Sequence, residues 1–448
     1  MDSFFKISQR QSSIAREMLA GVVTFMAMAY IVCVQPQIMS GTLSGNPTGM
    51  DTAALITTTC LAAAFGSILM GLWANYPIGL APGMGENFFV VMTIMPLCAV
   101  ALGPDSKTQP WQLALGTVFV TGVLFAVLTF FNVRKYLIDV ISPNLRYAMA
   151  GGIGLLIAFF GLKNAGVVIC ENNNLTLGML IDSGPVVFIV GLIAAASFHS
   201  LKIRGAILYG IFASAICALF LGKIDLVQPL GLPANPMPVV GKIDLPGVFV
   251  HITALFPLIL ILLFMQVFDT IGTAVGIGTQ AGLIEDGKFP QVEKVFAADA
   301  AATLAGAVGG HSTVTAYIES VAGVECGGRT GLTAIAAGIC FIAALFCSPF
   351  IAVVGNYPPI TAAALVSVGA LMMQCITKMT WDDASEAIPA FLILIGIPMT
   401  NSIADGVMFG LIVYPLIKLF SGKGHSISWI MYVLCAVLLL YMLLKRFV

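Results

Sequence analysis

The sequence predicts an all-α polytopic membrane protein with about 14 transmembrane segments in a 7+7 inverted repeat. Charged residues make up only 9% of the 448 residues, against roughly 25% in soluble domains. Hydrophobic residues make up 59%, and the mean hydropathy is +1.01. The apolar residues are grouped in runs of up to about 20 residues, the length at which a helix crosses the lipid bilayer.

This composition excludes several classes of protein. A soluble enzyme or a disordered scaffold would need more polar surface than the chain supplies, and the net charge of −1 gives no reason to expect a nucleic-acid partner. Ten cysteines without a CxxC pair and only four histidines predict no metal centre and no cofactor. The hydrolase and ATPase motifs GxSxG, HExxH and GK[ST] are absent from the sequence.

Apolar windows bounded by Pro, Gly and charged residues define the predicted spans. They lie at 19–40, 53–72, 79–100, 111–131, 144–162, 185–200, 204–221, 251–273, 297–309, 312–326, 330–355, 359–376, 386–400 and 403–420. The corresponding domains are a cytoplasmic N-terminus (1–18), a first seven-span repeat (19–221), a connecting loop (222–250), a second seven-span repeat (251–420) and an extra C-terminal apolar segment (421–448).

Basic residues predict the orientation. With the N-terminus in the cytoplasm, fourteen Lys and Arg residues of the loops and span ends fall inside and four fall outside, as the positive-inside rule requires. We therefore expect a multi-pass protein of the plasma (inner) membrane. Lys445 and Arg446 would be external if the apolar run at 427–444 spans, so the sequence leaves open whether this run crosses or lies at the interface.

Most acidic residues can be placed in loops or at span ends, but four, Glu86, Asp269, Glu319 and Glu325, cannot easily be placed there. An ionisable side chain at the centre of a transmembrane helix costs about 2.5–3.5 kcal/mol on insertion scales, so each indicates a function or a specific partner. Asp269 ends a long apolar run and is followed by Gly272. We interpret it as an acceptor that lines a cavity. Arg329, at the predicted cytoplasmic end of span 10, is either an interfacial side chain or part of a gate ion pair with Glu325.

Two segments read as extended chain followed by a short helix, one in the third span of each half. Leu80 and Ala81 precede Pro82-Gly83, and a helix can begin near Met84; residues 312–315 are followed by a short helix from Ala316. An extended segment at membrane depth needs a partner strand, because lipid cannot satisfy its backbone. Paired discontinuous segments of this kind predict a substrate site between the two repeats.

The chemistry of this predicted site is mixed. Half-helix N-termini present free N–H groups, and the carboxylates of Asp269 and Glu319 accept hydrogen bonds. A planar heterocycle with donors and acceptors on its edge fits such a site, because one carboxylate can accept two adjacent N–H groups, as guanine N1–H and N2–H₂ present them.

With these residues the chain resembles the nucleobase/cation symporters (nucleobase/ascorbate transporters), in particular the AzgA-like purine permease branch. The matching stretches are FFKISQRQSS, AGVVTFMAMAYIVCVQPQIMS, GLWANYPIGLAPGMGENFF, GLKNAGVV, FDTIGTAVGIGTQAGL and TVTAYIESVAGVECGGRTGLTA, and the resemblance covers about residues 1–420. It implies core and gate domains, the core formed by spans 1–4 and 8–11, with short strands in spans 3 and 10. It also implies import of a purine nucleobase together with a proton, with Na⁺ as the less favoured ion.

The resemblance also implies roles for individual residues. Asp269, Glu319 and Asn87 match the acidic and Asn positions of the family motifs, and backbone groups beside Phe88 and Tyr317–Ile318 would bind the base. Thr24 and Tyr30 of span 1 could line the same site. Asp269 is the first candidate for the coupled proton.

The chain departs from the branch at Gln266, where a second Asp is usual, and at Glu86 and His311. Glu86 and His311 flank the two extended segments, so they could pair with each other and are further candidates for the coupled proton. The sequence does not choose among guanine, hypoxanthine, xanthine and adenine. It leaves the oligomeric state open, with a homodimer as one arrangement.

Two alternatives remain at this point. An inorganic-anion transporter of the same 7+7 fold should place a cation at the midplane, where this sequence has two carboxylates. An integral-membrane enzyme would use Asp269 and Glu319 as general acid and base.

Overall fold

The computed structural model describes residues 2–131, 141–171, 174–225, 228, 230–283 and 292–445, and its helices fall at the predicted spans. We number the spans 1–14. In the first half they are Ile14–Met39, Thr52–Ala74, a third span with the helical stretch Met84–Leu102, Pro110–Phe130, Pro143–Asn164, Ser183–Ser200 and Ala206–Phe220. In the second half they are Ile252–Gln280, Val292–Val308, a tenth span with the helix Val321–Glu325, Gly331–Asn356, Pro359–Lys378, Ala384–Thr400 and Ile403–Phe420.

Three further α-helices of the described residues lie outside this set: Asp2–Phe5 at the N-terminus, Trp429–Lys445 after span 14, and the short Leu245–Val250 before span 8. The second coincides with the apolar run predicted at 427–444. Nine helical stretches of the described residues are long and apolar enough to cross a membrane by themselves. The chain is therefore a multi-pass membrane protein, as its composition predicted.

Spans 3 and 10 are discontinuous, as predicted. Span 3 begins with the strand β1 (Leu80–Pro82), and span 10 begins with β4 (Val314–Ala316), which is followed by a 3₁₀ turn at Ile318–Ser320. β4 lies slightly later in the chain than the expected 312–315, because the preceding Ser312 and Thr313 complete the turn out of span 9. A separate hairpin between spans 5 and 6, β2 (Val168–Glu171) with β3 (Asn174–Leu177), was not predicted.

Packing divides the spans into two groups. Spans 1 and 2 both pack on span 11, and span 9 packs on spans 2 and 4. In the other group, span 5 packs on spans 12 and 13, span 6 packs on spans 7 and 12, and span 13 packs on span 14. These groups correspond to the core and gate domains of the predicted fold, and the strands lie within the core group.

Small residues allow the core helices to approach closely. A Cβ atom at Gly71 would collide with the backbone of Gly331, and one at Gly21 would collide with Ala336. Without a hydrophobic drive between helices in lipid, close packing over small side chains is a main source of helix association. These contacts join spans 1 and 2 to span 11 across the two halves of the chain.

A buried carboxylate that the sequence did not single out joins span 1 to span 11. Span 1 begins at Ile14, earlier than the predicted residue 19, and Glu17 is therefore inside the helix and fully buried. Glu17 accepts hydrogen bonds from the backbone N–H groups of Arg329 (3.0 Å) and Thr330 (3.2 Å) and from the Thr333 hydroxyl (2.5 Å). A negative charge at the N-terminus of span 11 satisfies donors that a helix leaves unpaired and is favoured by the helix dipole.

Candidate substrate-binding site

The centre of the molecule is a two-stranded antiparallel pair formed by β1 and β4. Leu80 pairs with Ala316, and Pro82 with Val314. Two flanking hydrogen bonds extend the pair, from the Gly83 N–H to the Thr313 carbonyl (2.9 Å) and from the Tyr317 N–H to the Gly79 carbonyl (3.0 Å). All three paired residues of each strand are buried, so the strands satisfy each other's backbone as extended chain at membrane depth requires.

Glu319 lies at the start of the half-helix that follows β4. Its Oε1 accepts a hydrogen bond of 2.7 Å from the hydroxyl of Tyr30 in span 1. Glu319 is partly exposed and its neighbour Ile318 is 51% exposed. The carboxylate is therefore oriented by span 1 and still accessible from outside the protein core.

Asp269 of span 8 also contacts β4. Its Oδ2 accepts a hydrogen bond of 3.0 Å from the hydroxyl of Thr315, the central residue of the strand. Asp269 and Gly272 are both exposed, and Gly276, one turn further, is close enough to Ile318 that an added Cβ would touch it. One accessible face therefore runs from Asp269 along span 8 to the start of the span-10 half-helix.

Glu86 is a third acid beside the strand pair. It is in the first turn of the helix Met84–Phe89, and its carboxylate folds back toward Gly83 next to the Thr315 hydroxyl. Glu86 is buried and lies within electrostatic range of Asp269. The strand pair is thus surrounded by acids that can accept hydrogen bonds or protons.

The expected pairing of Glu86 with His311 is wrong, because both ring nitrogens of His311 have other partners. Nδ1 lies 3.2 Å from Nε2 of Gln35, and Nε2 lies 2.8 Å from the Thr58 hydroxyl. The amide nitrogen of Gln35 can only donate a hydrogen bond. Nδ1 of His311 therefore accepts, and Nε2 of His311 carries the proton. His311 is neutral in this arrangement, with every polar atom of the ring satisfied.

Asn87 belongs to the same buried cluster. Its carboxamide exchanges hydrogen bonds with that of Gln35, and its Oδ1 accepts from the Ser312 hydroxyl. Asn87 is fully buried. The structure therefore places its side chain on the side of span 3 that faces spans 1 and 10, and its predicted contact with substrate stays a prediction.

The remaining predicted residues surround the strand ends. The Tyr317 hydroxyl donates to the Pro82 carbonyl (2.5 Å), which fixes the start of the half-helix against β1. Phe88 stacks on Phe160 of span 5, with ring centroids 5.4 Å apart. Thr24 is fully buried and its hydroxyl has no hydrogen-bond partner among the described residues.

Two sequence-based expectations about charged residues change. Glu325 is exposed and accepts a hydrogen bond from Gln280 (3.2 Å), so it is not a buried acid. The Arg329 guanidinium donates to the carbonyls of Val324 (2.6 Å) and Gly328 (2.8 Å) instead of to Glu325. Arg329 therefore closes the end of the short helix, which rules out the gate ion pair with Glu325 in this conformation.

The sequence reasoning missed one acid near the site, Asp299 of span 9, which is fully buried against Thr270 of span 8. Its position near the predicted start of span 9, at residue 297, made it look like a span-end residue. The observed helix begins at Val292, which moves Asp299 two turns into the membrane segment. The surrounding run FAADAAATLAG, an acid among small apolar residues, was the available signal.

The paired strands, the opposed half-helices and the acids beside them are the features of a membrane transporter of the 7+7 type. Comparison with known proteins agrees. Residues 15–409 match the Permease family (Xan_ur_permease), and the chain belongs to that family, which is the family the sequence resembles. Its members are transporters, so the alternative of an integral-membrane enzyme falls away.

The curated relatives match along almost the whole chain. Guanine/hypoxanthine permease PbuO of Bacillus subtilis is 38% identical over 94% of this chain and 96% of its own. Adenine permease AdeQ of Escherichia coli is 35% identical over 99% of this chain and 96% of its own. Guanine/hypoxanthine permease PbuG of Bacillus subtilis is 37% identical over 100% of both chains.

Solved structures with the same fold come from more distant proteins. The transmembrane domain of the cyanobacterial bicarbonate transporter BicA has a TM-score of 0.62 at 14% identity, over 86% of this chain and 97% of that one. SLC26A9 has a TM-score of 0.61 at 10% identity, over 91% of this chain and 66% of that one. At this identity the likeness shows the 7+7 fold and nothing about substrate.

Proposed function

We propose that the protein imports purine nucleobases across the plasma membrane, coupled to a proton, by alternating access between the core and gate groups of spans. The observation that carries the proposal is the placement of two accessible carboxylates at β4: Glu319, which follows the strand, and Asp269, which accepts from its central residue. Relatives named as guanine/hypoxanthine and adenine permeases, which match over nearly the full chain, support the purine class.

The chemistry of the site agrees with a base as substrate. A carboxylate that accepts one hydrogen bond from Tyr30 retains lone pairs for the adjacent N–H groups of a purine edge. Gly272 and Gly276 leave room along span 8 for a flat ring, because neither has a side chain. Asp269 then supplies a second acceptor.

An inorganic anion is the second candidate, because BicA and SLC26A9 share the fold. The acids at β4 oppose it, since an anion between Glu319 and Asp269 would be repelled by both when they are ionised. Glu86 adds a third group of the same sign. A purine, neutral at pH 7 and rich in N–H donors, meets no such repulsion.

The packing of the two groups of spans supports alternating access. The acids and both strands belong to the core group, while Phe160, which stacks on Phe88, belongs to the gate group. Arg146 of span 5 in turn lies over the ring of Phe268 in span 8, at 5.2 Å. Movement of one group against the other would break these ring contacts and expose the strand pair to the opposite side of the membrane.

Uptake of labelled hypoxanthine into proteoliposomes that contain the purified full-length chain tests the proposal. We expect saturable uptake that unlabelled guanine, xanthine or adenine inhibits, and a panel of these bases ranks the preference. An inward proton gradient should drive accumulation and a protonophore should abolish it. Bicarbonate or sulfate uptake without base uptake would overturn the purine assignment, and accumulation that follows a Na⁺ gradient would replace the proton.

A further inference from the structure

A second polar cluster, which is buried, contacts the backbone of β4. It consists of Gln266 and Thr270 of span 8 and Asp299 and Thr303 of span 9, and all four residues are fully buried. Its one ionisable group is Asp299. The cluster is separate from Glu319, whose neighbours are Tyr30 and the exposed Ile318.

The hydrogen bonds of Thr270 indicate the protonation state of Asp299. The Thr270 hydroxyl oxygen lies 2.8 Å from the Gln266 carbonyl and in very short contact with Oδ2 of Asp299. The hydroxyl has one hydrogen and can donate it only once. If it donates to the Gln266 carbonyl, the hydrogen between Thr270 and Asp299 must come from the Asp299 carboxyl group.

The other oxygen of Asp299 points to the same state. Oδ1 has no hydrogen-bond partner among the described residues, and neither has the neighbouring Oε1 of Gln266. An ionised carboxylate with an unpaired oxygen in a dry site is very costly. No Lys, Arg or His nitrogen of the described residues forms an ion pair with Asp299, while the acids Asp269 and Glu86 lie within electrostatic range of it.

We propose that Asp299 is protonated in this conformation and is the residue that carries the co-transported proton, an inference that rests on the proposed symport function. The proton enters from water on one side of the membrane and leaves to water on the other. When it leaves, the Thr270 hydroxyl turns from the Gln266 carbonyl and donates to the Asp299 carboxylate. Asp269 and Glu319 then serve as ligands of the base.

The contacts around the cluster connect this proton to the substrate site. Gln266 Nε2 donates to the Thr303 hydroxyl (2.6 Å), and that oxygen lies 3.2 Å from both the N–H and the carbonyl of Val314 in β4. The next residue, Thr315, donates to Asp269. A change at Asp299 that turns Thr270 and shifts Gln266 is therefore transmitted to β4 and to an acid of the accessible face.

The test separates exchange of base from its accumulation. We compare proteoliposomes that contain the full-length parent, Asp299→Asn or the control Asp105→Asn. For counterflow they are loaded with unlabelled hypoxanthine. For accumulation they are left empty and placed under an inward proton gradient of about one pH unit. Asp105 lies in an exposed loop. We expect counterflow in all three proteins, and accumulation of up to about tenfold in the parent and in Asp105→Asn, since one pH unit equals 1.36 kcal/mol per proton. In Asp299→Asn the accumulation ratio should fall to one.

The proposal is overturned if Asp299→Asn accumulates hypoxanthine at the parent ratio and a protonophore abolishes this accumulation. It is also overturned if accumulation by the parent follows a Na⁺ gradient instead of the pH gradient. A parent that shows no counterflow of any purine overturns the transport function itself. Protonation of Asp299 is then judged separately, from the infrared band of a protonated carboxyl in the parent spectrum minus that of Asp299→Asn. Absence of that band overturns the proposal whatever the substrate.

Thr270→Val provides the test if Asp299→Asn does not fold. The substitution conserves volume and removes only the hydroxyl that accepts from the acid. We expect the difference between the parent and Thr270→Val spectra to show a protonated-carboxyl band moved to higher frequency in the variant, because the O–H of Asp299 loses an acceptor. An unmoved band would show that Thr270 does not bind a protonated Asp299 and would overturn the assignment.

Discussion

The hydroxyl of Tyr30 donates a hydrogen bond of 2.7 Å to Oε1 of Glu319 and so joins span 1 to span 10 at the start of a half-helix. Tyr30 is 1% exposed, whereas Glu319 is partly exposed. The tyrosine therefore acts from the protein interior on a carboxylate that faces outward. In the proposed function it selects which carboxylate oxygen is left for the base.

Tyr30→Phe should weaken base binding without removing it. The change keeps the buried ring and deletes the donor, which leaves Glu319 free to rotate and lowers the affinity by about 1–2 kcal/mol, or roughly 5- to 30-fold in Kd. The measurement is competition of labelled hypoxanthine binding by the unlabelled base in purified protein. A Kd equal to that of the parent would show that Glu319 is oriented by other contacts.

Glu319→Gln should have a larger effect. It keeps the side-chain length but replaces an acceptor with a donor that would face an N–H of the base. A lost charge-assisted pair together with an unpaired donor costs about 2–4 kcal/mol, or roughly 30- to 700-fold in Kd. The matched control is Glu325→Gln, on the same segment but exposed, which should bind like the parent. Normal affinity in Glu319→Gln would remove this residue from the site.

Hydropathy alone defined the positions of the spans, because a 9% charge content leaves long apolar runs between clear boundaries. The strand pair was predictable for the same reason: Pro82-Gly83 and Ser312-Thr313 interrupt helices at corresponding places, and only a partner strand can satisfy such a backbone in a membrane. The antiparallel register of Leu80 with Ala316 then needed the structure.

Side-chain pairing was much less predictable than the spans. Proximity in sequence to the strands suggested that Glu86 and His311 would meet, yet His311 faces Gln35 and Thr58 from spans 1 and 2. Which face of a helix a residue occupies depends on where the helix begins. An error of a few residues at the start of spans 1 and 9 hid the buried acids Glu17 and Asp299.

Asp269→Asn should reduce affinity while preserving coupling. The variant keeps a side-chain oxygen that can accept the hydrogen bond from Thr315, but it presents a weaker, neutral acceptor to the base. Hypoxanthine uptake should therefore saturate at higher concentration, with the same accumulation ratio per pH gradient at saturation. Loss of accumulation with normal exchange would instead return the coupling role, predicted from the sequence, to Asp269.

The last prediction concerns acid stability at the point where the start of span 13 meets the end of span 14. A hydrogen bond from Lys423 (2.8 Å), with further ones from Ser385, holds the pKa of the Asp383 carboxyl well below its usual range. Lys418 also lies 3.8 Å from it. Because the folded pKa is depressed, this group stabilises the fold above its unfolded value of about 3.9, and the contribution is lost as the pH falls below that value.

Asp383→Asn should therefore lower the Tm of the detergent-purified protein most at pH 5 and above, and the difference from the parent should shrink as the pH falls below about 4. Asn can still cap the N-terminus of span 13, where Asp383 accepts from the Ser385 N–H (3.0 Å), so the effect isolates the charge. Asp382→Asn, at the exposed neighbouring position, should follow the parent at every pH. A Tm difference for Asp383→Asn that is independent of pH would assign the stabilisation to the cap alone.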